Sequence, residues 1–252
     1  MAFRVFGWRS TCAGAWAIAV AVLALAAIGA RAAAPHGNWQ VVLAAGDNAE
    51  PVFDDATRAL AGRLAAAGVP AANIHRLSAA PAELHGGVEA ATIETLLRRI
   101  AKLPVRPGGR CLVFLTSHGE RDAGLWLARS NRALAPSELA QALSRGCGAA
   151  PTVVVVSGCY TGGFAAGAMA KPNRIILTAA RRDRPSFGCE VGRTYTVYDQ
   201  CLIDALPKAA DWQAVFGRTK SCVSRKERAQ GERPSEPQAY FGSAVADMNV
   251  GF

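Results

Sequence analysis

Two segments of the chain join an apolar run to a reactive side chain. Cys111-Leu112-Val113-Phe114-Leu115-Thr116 leads into Ser117-His118-Gly119, and Val153-Val154-Val155-Val156 leads into Ser157-Gly158-Cys159. A thiol at its ordinary pKa is only a few per cent thiolate at neutral pH, so a nucleophilic cysteine needs a nearby base or a field that favours the anion. His118 is a base of the right type. A helix opening near Gly162 would add a partly positive N-terminus. Gly119 and Gly158 let the backbone come close, as an acyl-transfer site requires if it is to aim N–H groups at a developing oxyanion. Taken alone, a histidine after a strand is more often a hydrogen-bonded loop residue, and a cysteine flanked by apolar residues more often an inert core residue. The paired occurrence is what points to nucleophilic catalysis.

The elements that must position this pair follow from hydrophobic patterning. Residues 111–116 and 152–156 are short, β-branched and uninterrupted, which is how strands buried on both faces of a parallel sheet read. Further strands are expected at 39–45, 73–77, 174–178 and 238–241, and helices at 53–67, 88–102, 137–145, 197–206 and 212–230. Pro136 sits where helix starts favour it. A hairpin is expected around 125–134 and a loop over 181–192. Strands alternating with helices imply an α/β fold with a mainly parallel sheet of about six strands and right-handed crossovers. In such a sheet the carboxyl ends of the strands form the ligand crevice. If the two motif strands are neighbours, His118 and Cys159 face each other across it.

The two motifs resemble those of the legumain-like peptidase C13 family of the caspase-type clan. In that family an apolar strand ends in His-Gly, and about 40 residues later another ends in the nucleophilic Cys; here the gap from 118 to 159 is 41. Thr178-Ala179-Ala180, Pro185-Ser186-Phe187-Gly188-Cys189 and Thr194-Tyr195 look like the segment after the nucleophile, especially in bacterial members. Ser235-Glu236-Pro237-Gln238 before Tyr240-Phe241-Gly242 is also similar. The resemblance spans residues 39–242. It implies a caspase-like three-layer sandwich and a cysteine endopeptidase in which Cys159 forms a thioester acyl-enzyme. His118 would be the general acid/base, and the backbone N–H groups of Gly119 and Cys159 the oxyanion hole. Transfer to an amine, as transpeptidases do, is open to the same intermediate. The alternative is a catalytically silent protein of the same fold that binds peptides or a partner.

The specificity pocket departs from the family pattern. Legumain-like enzymes carry an acid two residues before the nucleophile, where this chain has Ser157. The resemblance puts Ser186 and Asp199 near the pocket wall, and Asp54 or Asp55 near where relatives place a basic residue. Acids there would suit a basic or amide side chain at the cleavage position. The plainer reading of Asp54 and Asp55 is that they begin a helix, where acids suit the dipole.

Composition bounds the remaining possibilities. The chain has 252 residues, 51% of them apolar, enough to bury one sizeable core. Arg4 and Arg9 precede an uncharged stretch over 13–30, and Ala30-Arg31-Ala32 has the small residues of a cleavage site. Residues 1–34 therefore read as a secretory signal, or as an uncleaved anchor, since about 18 apolar residues is the lower limit for a span. Residues 35–252 form the peptidase-like domain, exported to the periplasm or medium, or held at the inner membrane by that anchor. Without its first 32 residues the chain keeps 25 basic against 19 acidic residues, a moderate excess. The basic cluster at Lys220, Arg225, Lys226 and Arg228 is broken by Glu227 and reads as a solvated helix face, not a nucleic-acid surface. Six cysteines remain after Cys12, so disulfides are open to an exported chain. If Cys159 stays free, at least one more is unpaired; Cys111 reads as an inert core thiol. His36, His75 and His85 lack metal-ligand spacing, and no Walker sequence or Gly-x-Ser-x-Gly is present, so no cofactor or metal is expected. The expected partner is a peptide or protein substrate.

Overall fold

Residues 38–190 and 192–252 are described by a computed structural model. The segment expected to be a signal or anchor, with Cys12, lies outside them. The strands are β1 (Trp39–Ala45), β2 (Ile74–Ser78), β3 (Glu89–Ala90), β4 (Arg110–Thr116), β5 (Gly119–Glu120), β6 (Gly124–Leu127), β7 (Arg132–Leu134), β8 (Thr152–Ser157), β9 (Arg174–Thr178) and β10 (Gln238–Phe241). Among the described residues seven of them pair into one sheet in the order β10-β9-β8-β4-β1-β2-β3, and β5, β6 and β7 form a separate hairpin sheet. All pairings in the large sheet are parallel except that of β10 with β9.

The helices are α1 (Val52–Ala66), α2 (Ile93–Ala101), α3 (Pro136–Gly146), α4 (Val197–Ala205) and α5 (Trp212–Gln230). Side chains alternate across the strands, so each central strand feeds two cores. Leu43, Leu112, Phe114, Val153 and Val155 pack with α1, α4 and α5 on one face. Val42, Val113, Leu115, Val154 and Val156 pack with α2 and α3 on the other. This is a caspase-like three-layer α/β arrangement.

The expected sheet of about six strands has seven, because residues 89–90 form an edge strand beside β2. For the same reason the helix expected over 88–102 starts only at Ile93. Thr92 holds an extended backbone there and caps the helix by accepting from the Thr95 N–H at 3.0 Å. The helix expected from Gly162 is no α-helix but a 3-10 turn over Thr161–Ala165, followed by another over Gly167–Met169. Gly162, Gly163 and Gly167 lie in that stretch, and glycine costs a helix interior about 1 kcal/mol each.

Two disulfides staple the layers. Cys111–Cys147 joins the start of β4 to the loop after α3, and Cys201–Cys222 joins α4 to α5. Cys111 is thus a cystine half, not the free core thiol expected. Closing loops of 36 and 21 residues is worth roughly 3–4 kcal/mol each in the chain-entropy account. On α5, Lys220, Arg225 and Arg228 are exposed and Lys226 half-buried, as a solvated face requires.

Candidate active site

β4 and β8 are adjacent and in register, Thr116 opposite Ser157, and the Ser117 N–H continues the ladder to the Ser157 carbonyl at 3.0 Å. Both chains then leave the sheet side by side. His118 and Cys159 therefore emerge from neighbouring strand ends, each half-buried. The backbones touch one residue further on. A β-carbon at Gly119 would fall on the carbonyl of Cys159, and one at Gly158 would lie 2.7 Å from the Ser117 carbonyl. Only glycine fits at either place.

The hairpin that follows holds His118. Its carbonyl accepts from the Trp126 N–H at 2.9 Å, and the Ser117 hydroxyl donates to the Trp126 carbonyl at 2.7 Å. With His118 and Trp126 a hydrogen-bonded pair, Gly119 opposite Leu125 is a non-hydrogen-bonded one, so its N–H points away from the hairpin. The imidazole meets the Phe53 ring edge-on, with centroids 5.3 Å apart. Phe53 opens α1 and is 1% exposed, so this wall of the site is fixed by the core.

Cys159 Sγ is met by the loop before α4. The Ser186 N–H donates to it at 3.2 Å, and Sγ lies 3.4 Å from the Ser186 carbonyl. The sulfur thus has a partner in either state: the carbonyl for a thiol, the N–H for a thiolate. A second free cysteine, Cys189, packs with Ala45, Val52 and Phe53. Burial raises its thiol pKa, with smaller contributions from the nearby Cys159, Glu190 and Glu50. Burial thus favours the protonated form of Cys189.

Of the pocket candidates, Ser157 and Asp199 come together and Ser186 lies against the sulfur. Ser157 continues the side of β8 that faces α4. Asp199, in the first turn of α4, is fully buried and accepts from the Thr116 hydroxyl at 2.7 Å. Burial pushes its carboxyl up to about 6, while the hydroxyls of Thr116, Ser157 and Thr196 pull the other way. Its Oδ1 has no partner in hydrogen-bonding geometry among the described residues. Asp54 is directed elsewhere: it accepts from the Ser78 hydroxyl at 2.9 Å and lies 3.7 Å from the Arg76 guanidinium. Burial raises its pKa, partly offset by those two partners. Asp55 pairs with Arg58 at 2.7 Å on the helix surface. Sequence reasoning missed Phe53, which reads as one apolar residue of a helical pattern, and Thr116, whose signal was a lone hydroxyl closing an apolar strand.

A mainly parallel α/β sheet with a His-Gly and a Cys at neighbouring strand ends defines a cysteine peptidase of caspase-like architecture. The model of the peptidase C13 family matches residues 102–244, more than half of the chain, and the chain belongs to that family of cysteine peptidases. Comparison with curated proteins gave no match.

Proposed function

We propose that the protein is an exported cysteine endopeptidase in which Cys159 attacks the peptide carbonyl and His118 carries the proton to the leaving amine. The Gly119 and Cys159 N–H groups stabilise the oxyanion, and water or a second amine resolves the thioester. The observation that carries the reading is the contact of Gly119 with Cys159 at the ends of two registered strands, which brings the two motifs side by side. Two disulfides support residence in an oxidising compartment.

Ser157, Ser186 and Asp199 line the pocket for the side chain before the cleaved bond. The unpartnered carboxylate oxygen of Asp199 gives that pocket a use for a cation or amide donor. Asp54, which accepts from Ser78 through Oδ2 and has Oδ1 3.7 Å from the Arg76 guanidinium, stands outside this set. The test is a peptide library scored for cleavage, with Cys159→Ala and His118→Ala as controls. Cleavage after Arg, Lys or Asn that vanishes in both variants supports the reading. Binding without cleavage by the native chain would favour a silent peptide-binding protein.

A further inference from the structure

A cavity adjoins the site on the α3 face of the sheet. It has a volume of about 520 Å³ and is bounded by Tyr160 and Glu120, the residues that follow Cys159 and Gly119. Its floor and walls are Gly163, Phe164 and Ala168, with the start of α3 opposite. Phe164 packs into the core shared with α2 and α3, whereas Ser157 and Asp199 lie on the α4 side. The cavity and the buried Ser157–Asp199 pair thus lie on opposite faces of the sheet, at the ends of the strands that lead to His118 and Cys159.

We infer that this cavity binds the residue on the amine side of the cleaved bond and selects a bulky apolar side chain there. The inference rests on the proposed peptidase reading: a peptide bond centred on Cys159 with its acyl-side residue toward Asp199 must send the amine-side residue the opposite way. The lining is apolar inside and charged only at the rim. There Asp122 and Arg182 satisfy each other at 3.1 Å and both are largely exposed. Such a recess stabilises apolar surface and offers a charged side chain no buried partner.

The recess is also built to keep its shape. Arg174, 2% exposed and in no ion pair among the described residues, donates to the Met169 carbonyl at 3.2 Å, the Ala140 carbonyl at 3.3 Å and the Ser144 hydroxyl at 3.0 Å. It thereby ties the 167–169 turn to α3 behind the cavity wall. Tyr160 holds a left-handed backbone with φ of 60°, fixed by its N–H donating to the Arg184 carbonyl at 2.8 Å. The Arg121 guanidinium lies 4.8 Å above its ring.

The experiment uses peptides that share the best acyl-side sequence and vary only in the residue after the cleaved bond. The native enzyme should cleave before Leu, Phe or Trp about tenfold or more faster, in kcat/KM, than before Gly or Asp. Gly163→Phe fills the cavity from a position where a β-carbon meets nothing within 4 Å, and Ala168→Phe fills it from an exposed one. Both variants should lose the preference while cleaving the Gly peptide within about threefold of native and alkylating Cys159 with iodoacetamide at the native rate. Cleavage by the native enzyme without such a preference, or a preference that survives both fillings, overturns the subsite and leaves the peptidase reading intact. Failure of the native enzyme to cleave any peptide overturns both.

Discussion

Gly119 lies so close to Cys159 that a β-carbon on the first would overlap the carbonyl oxygen of the second. The contact is backbone to backbone, so no rotamer change can relieve it. Gly119→Ala should push the two strand ends apart and displace the N–H groups proposed to hold the oxyanion. Loss of one oxyanion donor costs about 10²–10³ in kcat. Gly119→Ala should therefore lower kcat by at least a hundredfold, with the far-ultraviolet circular dichroism of the native fold retained. A variant with near-native turnover would remove Gly119 from the machinery.

The two free thiols should react very differently. Cys159 is half-exposed with Ser186 groups on its sulfur, whereas Cys189 is packed against Phe53 and held protonated by burial and its neighbours. Limited iodoacetamide treatment at pH 7, followed by peptide mass mapping, should label Cys159 at least tenfold faster. His118→Ala should slow Cys159 towards the rate of Cys189. Equal rates in the native protein would remove the imidazole from the chemistry.

Much of this site was legible because the residues that make it sit at the ends of runs that can hardly be anything but buried strands. Val153 to Val156 has one secondary-structure solution in an α/β chain, and residues 212–230 and 238–241 are likewise placed by pattern alone. The features that escaped depend on contacts between distant segments. Residues 89–90 make a strand only because β2 offers them an edge. The Cys111–Cys147 pairing requires the α3 loop to return to the base of β4. The stretch after Cys159 carries the apolar residues of a helix, but its glycines and the approach of residues 180–182 to Gly162 leave only 3-10 turns. A Ser186 N–H on the sulfur, and Phe53 on the imidazole, are visible only once the sheet has aligned them.

The disulfide between α4 and α5 bears on the site through Asp199, which shares α4 with Cys201. Replacing both Cys201 and Cys222 by Ala should destabilise the fold by roughly 3 kcal/mol, from the loss of a 21-residue closed loop. Thermal unfolding should report this as a lower Tm. At temperatures where the variant is folded, kcat should stay within a fewfold of native, because the strand ends that carry His118 and Cys159 are anchored in β4 and β8.

Asp199 should give the enzyme a pH-dependent taste for charge. Its carboxyl titrates near 6 in the fold against an ordinary 3.8, because burial disfavours the anion more than the Thr116, Ser157 and Thr196 hydroxyls favour it. The native state therefore holds a proton that the unfolded chain releases between about pH 4 and 6. This group's contribution to stability is most favourable below pH 4 and declines as pH rises to 6, the reverse of a salt-bridged aspartate. Asp199→Asn should flatten that decline in denaturant titrations run from pH 4 to 7. For the native enzyme, the preference for Arg or Lys over Asn before the cleaved bond should be strongest above pH 6 and fade by pH 5, as the carboxylate becomes neutral. Asp199→Asn should show no preference for the basic residues at either pH. A native preference that does not change between pH 5 and 7 would mean that another group sets the charge of the pocket.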